Sequence, residues 1–431
     1  MSKAKLRTTK VGSRIKKDKF VLPNDILFSI LIKVYTASLL RFKCVSKSWN
    51  AMISDNVKFT KAHRDQSKVL GREKLLLQKS TGEFEFIYFN NLNKVITEKK
   101  QFPLKEFQGA HVLCSYDGLV LLKKPKAYKR FVLWNPSSRQ HHILECSYMK
   151  PREYTLPRAC GLCYDSTTDD YKVILIYSLF YVVYSTSRDS WTKKPTLPVL
   201  QQRLPELELV SNSRRNVCSQ GIGTKNHVYW SLNQELDHYV RKTSTIIYFN
   251  AKSDELKESP IQISTNEYEY LFHLSTLKGR LCAYGGNCDF NGLNIWIMKQ
   301  DCWKWLMRIR NIPTFDCEGF LNNYKLLCTT ENCEVIFHGP ERHSFSIYYP
   351  KQRQFVRTTY ISNHLEYVFC PVDPTCLDSL YFPRFNVMRK RKRRILGNGV
   401  SAVTVAAVMV YYSAAEAEHG DAINGAGIKR N

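Results

Sequence analysis

The chain has 431 residues, 44% of them hydrophobic, with 64 Lys and Arg against 38 Asp and Glu and a formal charge of +26. That apolar content excludes wholesale disorder, and the length suits two to three domains rather than one small one. The 25 Tyr, 22 Phe and 7 Trp favour strands, so an all-β main body is expected.

The charge invites a nucleic-acid reading, because clustered Lys and Arg release counterions from phosphate backbones. Its distribution weakens that reading. Residues 1–19 carry eight basic groups against Asp18 alone, and Arg389 to Arg394 are six consecutive basic residues. Half of the excess therefore sits in two short segments, and the middle of the chain has only a basic tilt. The fourteen cysteines are scattered, many within apolar runs, as expected of reduced, buried thiols. The basic, polar start and the lack of any Asn-x-Ser/Thr sequon argue for an intracellular chain, in nucleus and cytoplasm, without disulfides.

The character changes at Phe20, with FVLPNDILFSILIKVYTASLLRFKCVSKSWNAMISDNVKFTKAH. Pro23 suits a first helical turn, Asn24 and Asp25 suit the positive end of a helix dipole, and Ile26, Leu27, Ile30, Leu31 and Val34 recur as one apolar face. Ser38 is expected to cap a second helix carrying Leu39, Leu40, Phe42 and Val45, and Ser46 a third carrying Trp49, Met52 and Ile53. Three such helices make a thin core, so the leftover apolar face should rest on a partner or a neighbouring domain.

The strings LPNDILFSIL and SLLRFKCVSKSWNAMIS resemble the F-box, the helical module that docks on the Skp adaptor of cullin-based ubiquitin ligases. The resemblance covers residues 21 to about 62. It implies that Leu22, Pro23, Ile26, Leu27, Ile30, Leu39, Leu40, Val45 and Trp49 pack on the adaptor or shape the docking face. Ser29 stands where the family often has an acid, and Val34-Tyr35 where it usually has Leu-Pro. Without that Pro, φ is no longer preset, which predicts a looser turn and weaker docking.

From Leu75 to Tyr381 short β-rich runs follow one another, such as FEFIYFN, GLVLL, FVLWNP, KVILIYS, YVVYSTS, HVYWSL, TIIYFN and SIYYPK. A strand ending in a small or turn-forming residue recurs at Asn90, Asn135, Ser185, Asn250, Gln300 and Pro350. A beat of about 45 to 65 residues, marked six times, predicts a six-bladed β-propeller. The longest interval holds an inserted loop, residues 199–216, whose Arg content would suit target binding. SYDGLVLL, FVLWNPSSRQ, GLCYDSTTDDYKVILI and YSTSRDSW resemble the Kelch-like F-box-associated interaction domain of plant F-box proteins. By that resemblance Asp117-Gly118 begins a blade strand, Trp134-Asn135-Pro136 closes one, and Tyr164-Asp165 with Asp170-Tyr171-Lys172-Val173 forms a hairpin. The strict Kelch double glycine occurs once, at Gly285-Gly286.

Signatures for chemistry are lacking: there is no GxGxxG after a strand, GxxxxGK[ST], GxSxG or HExxH. Cys328, Cys333, His338 and His343 could be zinc ligands, but their spacing is loose and a blade hairpin explains the intervening residues. Cys160 and Cys163 read as buried strand, and His141-His142 and Asp169-Asp170 as polar, solvent-facing turns. No catalytic residue, metal site or cofactor is assigned. Ile395 to Ala415 runs 21 residues without a charge, the length of a membrane span, but Gly, Asn, Ser and Ala dilute it.

The expected fold class is α+β multidomain: a small N-terminal three-helix F-box followed by a mainly antiparallel, Kelch-like propeller. The expected domains are a basic disordered arm (1–19), the F-box (20–62), a linker (63–74), the propeller (75–381) and a basic, Ala/Val-rich tail, disordered or weakly helical (382–431). The expected function is the non-catalytic substrate-recognition subunit of a Skp-cullin-F-box ubiquitin ligase. Its partners would be a Skp-type adaptor, through it a cullin, and a protein target. The alternative is a nucleic-acid-associated or carbohydrate-binding propeller without ligase assembly.

Overall fold

The computed structural model describes residues 23–78, 83–89, 95–100, 102–107, 109–124, 127, 129–149, 157–198, 219–236, 240–259, 271–277, 279–286, 292–300, 302–310, 325–329, 334–338, 344–359 and 375–385. The basic arm, Leu22, the 199–216 loop, Arg389 to Arg394 and the 395–415 run lie outside the described residues.

Four helices open the fold: α1 (Asn24–Leu31), α2 (Thr36–Phe42), α3 (Lys47–Asp55) and α4 (Val57–Val69). Ser46 caps α3 as expected, its Oγ accepting the Trp49 N–H at 3.2 Å, and Asn56 caps α4 through the Phe59 N–H at 3.1 Å. Ser38 caps nothing: it lies inside α2, which starts two residues earlier. The stretch expected as a linker from residue 63 continues α4 to Val69, because His63, Arg64 and Ser67 are buried.

Among the described residues the strands form six sheets of four or five strands, all antiparallel but for one short parallel pair. Blade 1 is built from both ends of the propeller, with Thr375–Leu377 innermost, then Glu73–Gln78, Phe84–Phe89 and Val95–Lys100. Blades 2 to 6 follow in sequence, with inner strands beginning at His111, Ala159, Ile222, Leu271 and Lys325. The large apolar clusters of the propeller lie between neighbouring blades: Leu76, Phe86 and Trp134 between blades 1 and 2, and Leu121, Leu133, Leu162 and Val173 between blades 2 and 3. A single twisted sheet cannot cover both of its faces, and radial stacking does so.

The sixfold beat has a local cause. Among the described residues it marks the turn before the outermost strand of a blade; Asn90 lies outside them. Asn135, Ser185 and Asn250 open turns whose fifth residues, Arg139, Asp189 and Asp254, have φ of 61°, 52° and 55°. The opening side chain holds the turn: Asn135 Oδ1 accepts from the N–H of Ser137 and Ser138, and Asn250 Oδ1 from that of Lys252. Asn and Ser recur there because a short polar side chain can bond the backbone two residues on. Asp117-Gly118, both at positive φ, is the two-residue turn joining Tyr116 to Leu119.

Close approach of inner strands also needs glycine. A Cβ on Gly223 would stand 2.2 Å from the Leu162 carbonyl oxygen and 2.7 Å from the Tyr116 ring. Gly223→Ala is expected to push blades 3 and 4 apart and cost about 1–3 kcal/mol, read as a lowered urea midpoint with an unchanged slope.

Candidate functional site

The apolar positions of α1 do not form one inward stripe. Leu27, Phe28 and Leu31 pack in the helical core with Leu39, Ile53 and Phe59, while Ile26 and Ile30 point away, 46% and 50% exposed. Val45, after α2, is 62% exposed and Pro23 is exposed too. Of the residues singled out for docking, Pro23, Ile26, Ile30 and Val45 thus lie on the outer surface. Leu27, Leu40 and Trp49 are half-buried, and Leu39 is wholly buried beneath them. The Trp49 ring meets Phe42 edge-on at 5.7 Å. The propeller leaves the outer residues uncovered.

The turn that lacks Pro keeps a proline-like backbone: Tyr35 has φ −62°, close to the value a pyrrolidine ring imposes. Arg72 braces it, with its guanidinium 4.0 Å from the centre of the Tyr35 ring and a hydrogen bond donated to the Lys33 carbonyl. The first N–H of α2, on Thr36, is bound 342 positions away in sequence by Asp378 Oδ2 at 2.9 Å. Leu380 enters the helical core itself.

Helix α4 joins the two halves. The buried Arg64 donates to the Tyr171 hydroxyl at 2.8 Å and lies 5.1 and 5.0 Å from the centres of the Tyr164 and Tyr381 rings. The Tyr171 hydroxyl donates in turn to Asp117 Oδ2 at 2.9 Å, and Lys68 meets Asp117 Oδ1 at 2.6 Å. At the more exposed edge Lys61 pairs with Asp169. Buried charge needs such partners, because its desolvation otherwise goes uncompensated.

Other residues singled out from sequence fall elsewhere. His141 and His142 are not in a turn: they begin the outer strand of blade 2, where His142 stacks on Phe385 at 3.6 Å. Asp170 is buried rather than solvent-facing, accepting from Ser185 Oγ, Thr186 Oγ1 and the Ser187 N–H to fasten the blade 3 turn. Phe385 is buried as well, so the packed body extends past residue 381. Cys160 and Cys163 face different inter-blade clusters, on opposite sides of one sheet. Cys328 pairs with Ile336 and His338 with Lys325, in one hairpin, while Cys333 and His343 lie outside the described residues. No helix among the described residues is long and apolar enough to cross a membrane.

Residues 75–370 match the family model of the F-box associated beta propeller domain, and residues 20–62 match the F-box-like model. The chain belongs to the F-box associated β-propeller family. Similar proteins include an F-box/kelch-repeat protein of Arabidopsis thaliana, 24% identical, with 68% of this chain and 79% of the relative covered. The F-box protein CPR1 of the same plant is 23% identical, covering 75% and 83%, and a putative F-box protein is 22% identical, covering 80% and 92%.

Placed in this family, the F-box helices sit against the ends of blades 1 to 3 through contacts that sequence reasoning missed. Arg64, Lys68 and Asp378 carry no local pattern, and the partners that join helices to propeller lie tens to hundreds of residues away. The signals available were Asp117-Gly118, read as a strand start, and Tyr171, read within a hairpin, neither as an anchor. Asp378 offers a pH test. Burial alone would raise its carboxyl, but Lys74, 3.2 Å away, the Thr36 N–H and His63 outweigh that and hold it below its ordinary value. A depressed carboxylate contributes stability above its unfolded pKa of about 4 and loses it as pH falls through the folded value. Asp378→Asn should flatten that part of the acid limb of a stability–pH curve while lowering the neutral plateau.

Proposed function

We propose that this chain is the substrate-recognition subunit of a Skp-cullin-F-box ubiquitin ligase. The F-box would dock on a Skp-type adaptor, and the propeller would hold a protein target for ubiquitin transfer by other subunits. The observation carrying the reading is the uncovered ridge of Pro23, Ile26, Ile30 and Val45 on a module that matches the F-box model. Two half-exposed isoleucines a turn apart on one short helix form an apolar surface of the kind that marks a protein–protein contact.

In this reading the mechanism is proximity. A target held on a rigid scaffold beside a charged conjugating enzyme reacts at a raised effective concentration, with no bond made or broken by this chain. The braced Tyr35 turn supports docking in spite of the missing Pro, because the folded backbone angle is the one that Pro would set. Residence in nucleus and cytoplasm belongs to the same proposal. The test is co-purification of the full chain with a Skp-type adaptor and a cullin from plant cells, in parallel with the Ile26→Asp/Ile30→Asp variant. Wild type should bring down both partners and the variant neither; equal recovery with both chains would reject the reading.

A further inference from the structure

Residues 375–385 belong to both halves of the molecule. Thr375–Leu377 is the inner strand of blade 1, paired with Glu73–Leu75 near the other end of the propeller. The next residues turn into the helices. Asp378 accepts the first N–H of α2, Leu380 is buried with Leu31, Leu39, Ile53 and Phe59, and Arg384 donates to the Asp55 carbonyl at the end of α3 at 2.9 Å. Tyr381 lies under Arg64 of α4.

We infer that this segment completes the docking helices when it closes the propeller, so that Asp378 and Leu380 are positioning residues for adaptor binding. The inference rests on the adaptor-docking reading. Its physical basis is the small size of the helical core. Four fully buried apolar residues are too few to fix four short helices, and Leu380 supplies the fifth from the far end of the chain. The outward Ile26 and Ile30 share α1 with Leu27 and Leu31, which pack in the same cluster as Leu380. The pitch of the ridge is therefore set partly by Leu380. Tyr35, the α2 cap residue, offers no side-chain bond to the helix, so Asp378 supplies the one that local sequence does not. A receptor whose ring has not closed would lack both and present a distorted ridge. Coupling of this kind is reciprocal, so adaptor binding must tighten residues 378–381 in return.

The experiment uses full-length wild type, Leu380→Ala, Leu380→Met and Asp378→Asn with a purified Skp-type adaptor. Affinity is measured by calorimetry and backbone order by hydrogen exchange. Leu380→Ala should weaken adaptor binding about tenfold while exchange at 240–250 in blade 4 stays at the wild-type rate, and Leu380→Met should recover to within about twofold. Asp378→Asn should weaken it by a smaller factor. In wild type the adaptor should slow exchange of the Asp378 and Tyr381 amides, which are bonded to Arg72 O and Ser379 Oγ and lie off the ridge. Wild-type affinity in Leu380→Ala, or unchanged exchange at 378–381 on adding adaptor, would overturn the inference. Should Leu380→Ala fail to fold, the wild-type exchange result decides. Failure of wild type to bind adaptor would count against the docking reading instead. In that case, faster exchange of residues 24–55 in Leu380→Ala with 240–250 unchanged upholds the positioning role, and no change removes it.

Discussion

Replacing Ile26 and Ile30 together by Asp is expected to reduce affinity for a Skp-type adaptor on the order of a hundredfold and to lower the melting temperature by only a few degrees. Full burial of an Ile side chain contributes about 1.5–3 kcal/mol. Each of these is already half covered, so the pair has about 1.5–3 kcal/mol left to gain on docking, which corresponds to about ten- to a hundredfold in affinity before any cost of the new charges. Two carboxylates at the same places would add desolvation against the partner. Within the isolated chain only the covered half of each side chain is lost, about 1–1.5 kcal/mol apiece, with no buried charge left behind. The split between the two readouts is the informative part. Leu39→Ala makes the opposite comparison: it removes a wholly buried side chain from the helical core and should lower stability by about 2–5 kcal/mol before any effect on docking is considered.

The second large effect is expected at the junction. Asp117→Asn keeps the shape of the side chain and a residue type that tolerates φ near +55°, but removes the negative charge facing Arg64 and Lys68. Arg64 then stays buried with Asp65, which is largely exposed, as its remaining carboxylate partner. Breaking a buried ion pair from one side costs about 3–5 kcal/mol. By contrast Asp169→Asn removes the outer partner of Lys61, a pair open to solvent, and should cost less than about 1 kcal/mol. Urea unfolding of the two variants side by side checks both figures. A small loss at Asp117 would mean that the tyrosine rings, not the ion pairs, hold α4 against the propeller.

How much of this was legible in the sequence depends on the range of the interaction that fixes each part. The sixfold beat was readable because the residues that make the turns, Asn135, Ser185 and Asn250, act on their own neighbours. Ser46 as a cap was readable for the same reason. The direction of the α1 face was only half readable: spacing places Ile26, Leu27, Ile30 and Leu31 on a broad apolar surface, but which flank faces inward is decided by Phe59 and Leu380. The start of α2 was misplaced because its cap is Asp378, 342 positions away in sequence. His141-His142 and Asp170 were read as polar turn residues from their type, whereas the first pair sits in a strand and Asp170 is buried to bond a neighbouring turn. The junction as a whole was illegible, since Arg64, Asp117, Tyr171 and Tyr381 come from four separate stretches and meet only once the propeller has formed.

The most direct measurement is a calorimetric titration of the purified full-length chain with a purified plant Skp-type adaptor at physiological salt. The account predicts a one-to-one complex with a dissociation constant of about a micromolar or tighter, a negative heat-capacity change from burial of the Ile26 and Ile30 surface, and near-complete loss of the heat in the double Asp variant. No saturable heat with a folded wild-type chain, or equal binding by the double Asp variant, would contradict it.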